Sequence, residues 1–162
     1  MKIYLDMDEV VADFIGYAEK KVGEKLPLGG RFRPEVWREI VRNPRIYRDL
    51  PVKEGANELV RWCHEYCIQN KCELLFLTAL PRNNDVPYAI WDKVCWAKKH
   101  FPGIPVMMGP YSKDKWQHCK EGDILIDDRD SNCQEWEAAG GRSFKYRNWP
   151  DCKEWLVKTL YH

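Results

Sequence analysis

The chain carries no excess of either charge: 26 Lys and Arg stand against 25 Asp and Glu, a formal net charge of +1. A protein that coats a polyanion shows a clear basic excess or stripe, so a nucleic-acid partner is not expected. No apolar run approaches the length of a membrane span, and no membrane partner is expected either. Internal repeats, low-complexity segments and linkers are missing, so nothing divides the 162 residues into separate units. The seven cysteines include no CxxC pair. Cys63, Cys67 and Cys72, with His64 beside them and His118-Cys119 further on, therefore lack the spacing of a structural zinc site. They are expected as reduced thiols of a cytoplasmic protein. The first apolar run begins at residue 2, so no leader segment is expected ahead of it.

Aromatic residues, by contrast, are plentiful. Eight Trp and eight Tyr serve core packing and stacking on flat ligands alike. The opening stretch, KIYLDMDEVVADF, runs a short apolar segment into two carboxylates, Asp6 and Asp8. A buried strand ending in acid delivers charge to a sheet edge, where two carboxylates this close repel unless a cation sits between them. The same arrangement recurs in GDILIDDRDSN, where Ile124, Leu125 and Ile126 lead into Asp127 and Asp128, and a third run, ELLFLTAL, ends at Thr78.

Helical periodicity fills the intervals. Residues 10–22 place Val10, Val11, Phe14, Ile15 and Ala18 on one helical face ended by Gly23, and 24–33 is a Gly- and Pro-rich loop. Pro34 opens a short helix carrying Val36, Trp37, Ile40 and Val41, which Asn43-Pro44 breaks. Longer helices are predicted over 55–70, with Leu59, Trp62, Cys63, Tyr66 and Cys67 on one stripe, and over 88–100, presenting Ile90, Trp91, Val94, Cys95 and Ala97. A polar loop at 81–87, short strands at 106–108 and 143–146, the loop GPYSKDK and a closing helix from Pro150 complete the chain. Strands alternating with helices predict a parallel sheet covered on both faces. Ligands of such sheets bind beyond the carboxyl ends of the strands, where the three polar tips meet.

In order and spacing, four motifs resemble the haloacid dehalogenase superfamily of phosphohydrolases, and within it the 5'(3')-deoxyribonucleotidase group. The motifs are DMDEVVADF, the strand ending in Thr78, a lysine in YSKDKWQHC, and ILIDDRD. The resemblance continues through IYRDLPVKEGANELV and KVCWAKKHFPG and covers nearly the whole chain. It implies an α/β fold, a Rossmann-like three-layer α/β/α parallel sheet forming a single domain over 1–162. The core is expected at 1–15 and 53–162, with 16–52 as a small helical cap inserted after the first strand. The sequence departs from the animal members at Glu9, where they have glycine, so the turn is altered or charge is added beside the metal. It departs again at Ala79, where they have serine and one phosphate hydrogen bond is expected to be missing.

Phosphomonoester hydrolysis requires an in-line nucleophile, neutralised phosphoryl oxygens and a proton for the leaving alcohol. The resemblance implies Asp6 as nucleophile, forming an aspartyl-phosphate, and Asp8 as acid and base, its proton retained through the neighbouring carboxylates. Mg2+ would be held by Asp6, the main-chain carbonyl of Asp8 and an acid of the Asp127-Asp128 pair, Asp128 being favoured as the direct ligand with Asp127 close by. Thr78 would donate to the phosphoryl group and Lys115 would neutralise it, with Lys113 a rival that no spacing argument excludes. Phe14 occupies a position that faces the substrate in the group, and Trp37 and Tyr47 are further substrate-binding candidates; core packing is an equal reading for Phe14, and packing in the core or cap is the favoured one for Trp37 and Tyr47. The expected substrate is a 5'- or 3'-monophosphate of a nucleoside, foremost a deoxynucleoside. Another small ester such as a sugar phosphate, a phosphate-binding module without turnover, and a nucleic-acid end are the alternatives. Intact Asp6 and Asp8 argue against the module, and a homodimer is left open.

Overall fold

The structure is a computed structural model that describes residues 1–29 and 31–161. Gly30, in the predicted loop at 24–33, and His162 lie outside the described residues. Five short strands, β1 (Lys2–Leu5), β2 (Glu73–Thr78), β3 (Val106–Met108), β4 (Ile124–Asp127) and β5 (Arg142–Lys145), form one sheet in the order β3-β2-β1-β4-β5. All four pairings are parallel. The sheet is the predicted α/β architecture. Because side chains alternate across a strand, Ile3, Leu5, Leu74, Phe76, Ile124 and Ile126 share one core, while Tyr4, Leu75, Leu77 and Leu125 form a second. Strands buried on both sides read as continuous apolar runs for this reason.

The larger core is closed by α4 (Ala56–Asn70), α5 (Ala89–His100) and α7 (Trp149–Tyr161), which bury Leu59, Cys63, Trp96, Cys152 and Leu156 in it. The smaller is closed by α6 (Asp130–Ala138), whose Trp136 meets Tyr4 edge-on at 5.1 Å. Three further helices, α1 (Phe14–Val22), α2 (Pro34–Ile40) and α3 (Ile46–Asp49), lie between β1 and α4 in the chain. This segment leaves and re-enters side by side: Asp13 donates its N–H to the Pro51 carbonyl and Lys53 donates to Val11, both at 2.9 Å. Among the described residues no helix is long and apolar enough to cross a membrane.

Two helical expectations change. The helix predicted from residue 10 starts at Phe14, because the Met7 carbonyl accepts N–H groups from Val10, Val11 and Ala12 and holds them in a turn; Asp13 then caps α1 by accepting from Gly16 at 3.0 Å. On α5 the apolar side chains Ile90, Trp91 and Val94 point outward, with Trp91 66% exposed. The buried face is instead Ala89, Asp92, Lys93, Trp96 and Ala97. Arg45 compensates Asp92 through both carboxylate oxygens, at 2.5 and 2.9 Å, and stacks its guanidinium on Tyr88.

Candidate active site

The strand order reverses between β1 and β4, so a crevice opens beyond their carboxyl ends. Leu5 pairs with Ile126 on one side and Phe76 on the other, which brings Asp6 out beside Asp127 and just below the level of Thr78. The four acids and the threonine predicted from the strand tips therefore converge. One oxygen each from Asp6, Asp127 and Asp128 lie within 4.8 Å of one another. Lys115, in a 3-10 turn at Ser112–His118, is 1% exposed and bridges Asp6 at 2.8 Å and Asp127 at 2.7 Å. Lys113 lines the cleft without joining the carboxylates.

The acids differ in environment. Asp127 is saturated: Lys115 and the Asn132 amide donate to its side chain, as does the Arg129 N–H at 3.0 Å, and Ser112 steadies Asn132 in turn at 2.7 Å. Asp128 accepts no hydrogen bond among the described residues. Burial first, then the charges of Asp6 and Asp127, push its carboxyl up to about 8. Burial likewise raises Asp6 to about 6, with Lys115 opposing and Asp127 and Asp8 adding to the rise. Burial would lower Lys115, but the Asp127 and Asp6 carboxylates override it and hold the ammonium firmly charged. The three clustered acids offer an all-oxygen donor set, which suits a hard divalent cation.

Asp8 departs from the sequence-based picture. Its hydrogen-bond partner is an ammonium, beside the carboxylate of Asp6: Lys93 donates to Asp8 Oδ2 at 2.8 Å and to Thr78 Oγ1 at 2.9 Å. Lys93 is 1% exposed and lies over the Tyr47 ring, 4.2 Å from its centroid. Sequence reasoning missed this lysine because the apolar residues of α5 suggest the opposite face. The only signal available was the i, i+3, i+4, i+7 spacing of Ala89, Asp92, Lys93 and Trp96.

Glu9 takes a left-handed conformation, φ 66, where glycine would be unstrained. Its carboxylate turns away from the acids, accepting the Ile15 N–H at 2.7 Å and Lys53 at 2.8 Å. It therefore ties the first loop to α1 and to the re-entry point at Lys53.

A cleft of 620 Å³ opens above these groups, lined by Asp6, Asp8, Lys115 and Asp128 at one end and by Phe14, Phe32, Trp37 and Tyr47 along a wall. That volume suits a small organic ligand. Phe14 lies 6.0 Å from both Phe32 and Tyr47, and Phe32 is parallel to Trp37 at 6.1 Å. Phe14 and Tyr47 are thus both packed and cleft-lining, while Trp37 reaches across to Asp85 through its indole N–H at 2.8 Å. Phe32 and Asn132 had no sequence signal of their own, since each functions only through residues that the fold brings near.

A family model for "5' nucleotidase, deoxy (Pyrimidine), cytosolic type C protein" matches residues 1–148. The chain belongs to this nucleotidase family. Proteins from two strains of Staphylococcus epidermidis, assigned as 5'(3')-deoxyribonucleotidases, are each 26% identical to it over 161 residues, covering 90% of this chain and 82% of theirs. A hydrolase from Streptococcus pneumoniae shares the fold, with a TM-score of 0.51 at 13% identity over 96% of this chain and 97% of that one. The nucleotidase is a phosphatase of the haloacid dehalogenase type, with Asp6, Asp8, Asp128 and Lys115 brought to one cleft.

Proposed function

We propose that this nucleotidase hydrolyses 5'- or 3'-monophosphates of nucleosides, foremost deoxynucleosides, through an aspartyl-phosphate on Asp6. The convergence of Asp6, Asp8 and Lys115 at the acidic end of an aromatic-walled cleft, with the buried Lys93 joining Asp8 to Thr78, carries the reading, and the S. epidermidis relatives supply the substrate class. Residues 16–52 act as a cap, and the hydrogen-bonded segments at 11–13 and 51–53 are its stem. Seven free thiols accord with work in the cytoplasm.

Asp6 Oδ1 is fixed by the Met7 N–H and by Lys115, which leaves the other oxygen to attack phosphorus as the ester oxygen departs. Asp8 gives that oxygen a proton, then takes one from the water that cleaves the aspartyl-phosphate. Thr78 Oγ1 accepts from Lys93, so its own hydroxyl hydrogen is free to point at a phosphoryl oxygen. Lys115 neutralises the phosphoryl group. Mg2+, held by Asp6, the Asp8 carbonyl and Asp128, would supply further charge to the phosphoryl oxygens when bound. Asp128 suits direct ligation because its oxygens are free, whereas Asp127 serves to orient Lys115. Trp37 offers a ring face to the base, backed by Phe32, Phe14 and Tyr47.

The test is phosphate release with magnesium from deoxynucleoside and ribonucleoside monophosphates beside simple sugar phosphates. Release confined to nucleotides is expected; equal release from sugar phosphates would overturn the substrate, and none from any ester would overturn turnover.

The acid cluster makes a second prediction. With Asp6 and Asp128 raised to about 6 and about 8, the cation-free folded state holds protons that the unfolded chain has already released above its carboxylate pKa of 3.8. Stability then falls as pH rises through that window. Magnesium is expected to reverse the loss, raising Tm by about 5 °C or more near pH 8 and by much less near pH 5. A thermal scan showing no magnesium effect, or the same effect at both pH values, would remove the cluster as the cation site.

A further inference from the structure

A pair of thiols closes the C-terminal end of α4, separated from Thr78 by the whole length of β2. Beyond Asn70, Lys71 takes a left-handed conformation with φ 52. Its N–H and that of Cys72 both donate to the Cys67 carbonyl, the latter at 3.1 Å. In such a Schellman closure the second residue past the helix reaches back over the last turn, and the two side chains at its ends touch, usually as an apolar contact. Here those side chains are Cys67 and Cys72, free thiols whose sulfurs lie 3.0 Å apart. The backbone thus holds the pair within bonding reach before any oxidation occurs.

We propose that Cys67 and Cys72 form a reversible disulfide when the protein meets hydrogen peroxide, pinning the end of α4 to the start of β2. Cys72 is half-buried and Cys67 is buried, so Cys72 reacts first. Its thiolate sulfur bonds to one peroxide oxygen, the O–O bond breaks and hydroxide leaves, giving a sulfenic acid. The Cys67 sulfur then bonds to the Cys72 sulfur, the S–O bond breaks and a second hydroxide leaves. The two thiol protons convert both hydroxides to water. Two thiols are thereby oxidised by two electrons, and one peroxide is reduced to two waters. Burial, reinforced by its contact with Cys72, pushes the Cys67 thiol up, which keeps it from reacting first, while its sulfur contact with Cys72 places it for the second step. Cys63 and Cys152 are deeply buried, and burial pushes their thiols up as well. Cys95 and Cys119 are half-buried but touch no other thiol among the described residues.

The full chain is treated with hydrogen peroxide, alkylated and mapped by mass spectrometry without reduction. The expected product is one peptide carrying Cys67 and Cys72, unalkylated and lighter by two hydrogens, restored by dithiothreitol. The oxidised protein is expected to melt about 3 °C above the reduced form. Cys72→Ser abolishes the link, and Cys67→Ala leaves a sulfenic acid at Cys72 that a dimedone probe captures; Cys67→Ser gives the same readout should the alanine variant fail to fold. Recovery of both cysteines alkylated while Cys95 or Cys119 is oxidised, or a bond from either to Cys63 or Cys152, overturns the proposal. The readout is a mass and a linkage, so it stands apart from the outcome of any phosphatase assay.

Discussion

Asp6→Asn is expected to lower kcat for nucleotide dephosphorylation by about 10⁴-fold or more while leaving the protein at least as stable as the parent. The amide keeps the shape of the carboxylate and can still accept from the Met7 N–H and from Lys115 through its oxygen. It cannot act as the nucleophile, because its nitrogen replaces the oxygen that would form the new bond. The stability expectation follows from the same environment: Asp6 is raised to about 6 chiefly by burial, so in the absence of a cation its negative charge is a cost to the fold at neutral pH. Removing it relieves the crowding with Asp127 and Asp128. Phosphate release and a thermal scan on the same preparation separate the two effects. A stable variant that kept more than about a tenth of the parent kcat would exclude Asp6 as nucleophile.

The strand tips were legible in the sequence because a parallel strand buried on both faces writes itself as an unbroken apolar run, and polar residues at its end have one place to go. That is why Asp6, Thr78 and Asp127 meet as expected. Residues 10–13 misled for the opposite reason: Val10 and Val11 fit a helical spacing, but three N–H groups captured by Met7 and the pairing of Val11 and Asp13 with 51–53 outweigh local preference. The face of α5 was hidden more deeply. Burying Asp92 and Lys93 while exposing Trp91 is unfavourable until Arg45 and Asp8 arrive, and these lie 47 and 85 residues away in the chain. A charge whose partner is distant in sequence looks like a solvated charge. Glu9 shows the same limit, since its value depends on Lys53.

Lys93→Met is expected to reduce kcat by about 10²–10³-fold with little change in KM, the size associated with a displaced general acid. Methionine keeps an unbranched stem beneath Tyr47 but deletes the ammonium that reaches both Asp8 and Thr78. Without it Asp8, whose side chain is 32% exposed, is free to turn toward water, away from the leaving oxygen. The Thr78 hydroxyl also loses the donor that, in the proposed mechanism, leaves its hydrogen for the phosphoryl group. Both losses act on the transition state more than on the bound ester, which places the effect in kcat. Lys93→Arg restores the charge on a larger head and should recover part of the rate with an altered pH profile. A lysine that merely filled space under Tyr47 would behave differently: the methionine variant would shift Tm and leave kcat and the pH profile where they were. A rise in KM at constant kcat would instead make Lys93 a binder of the ground-state phosphate, so the split between the two constants assigns the lysine to acid positioning, binding or packing.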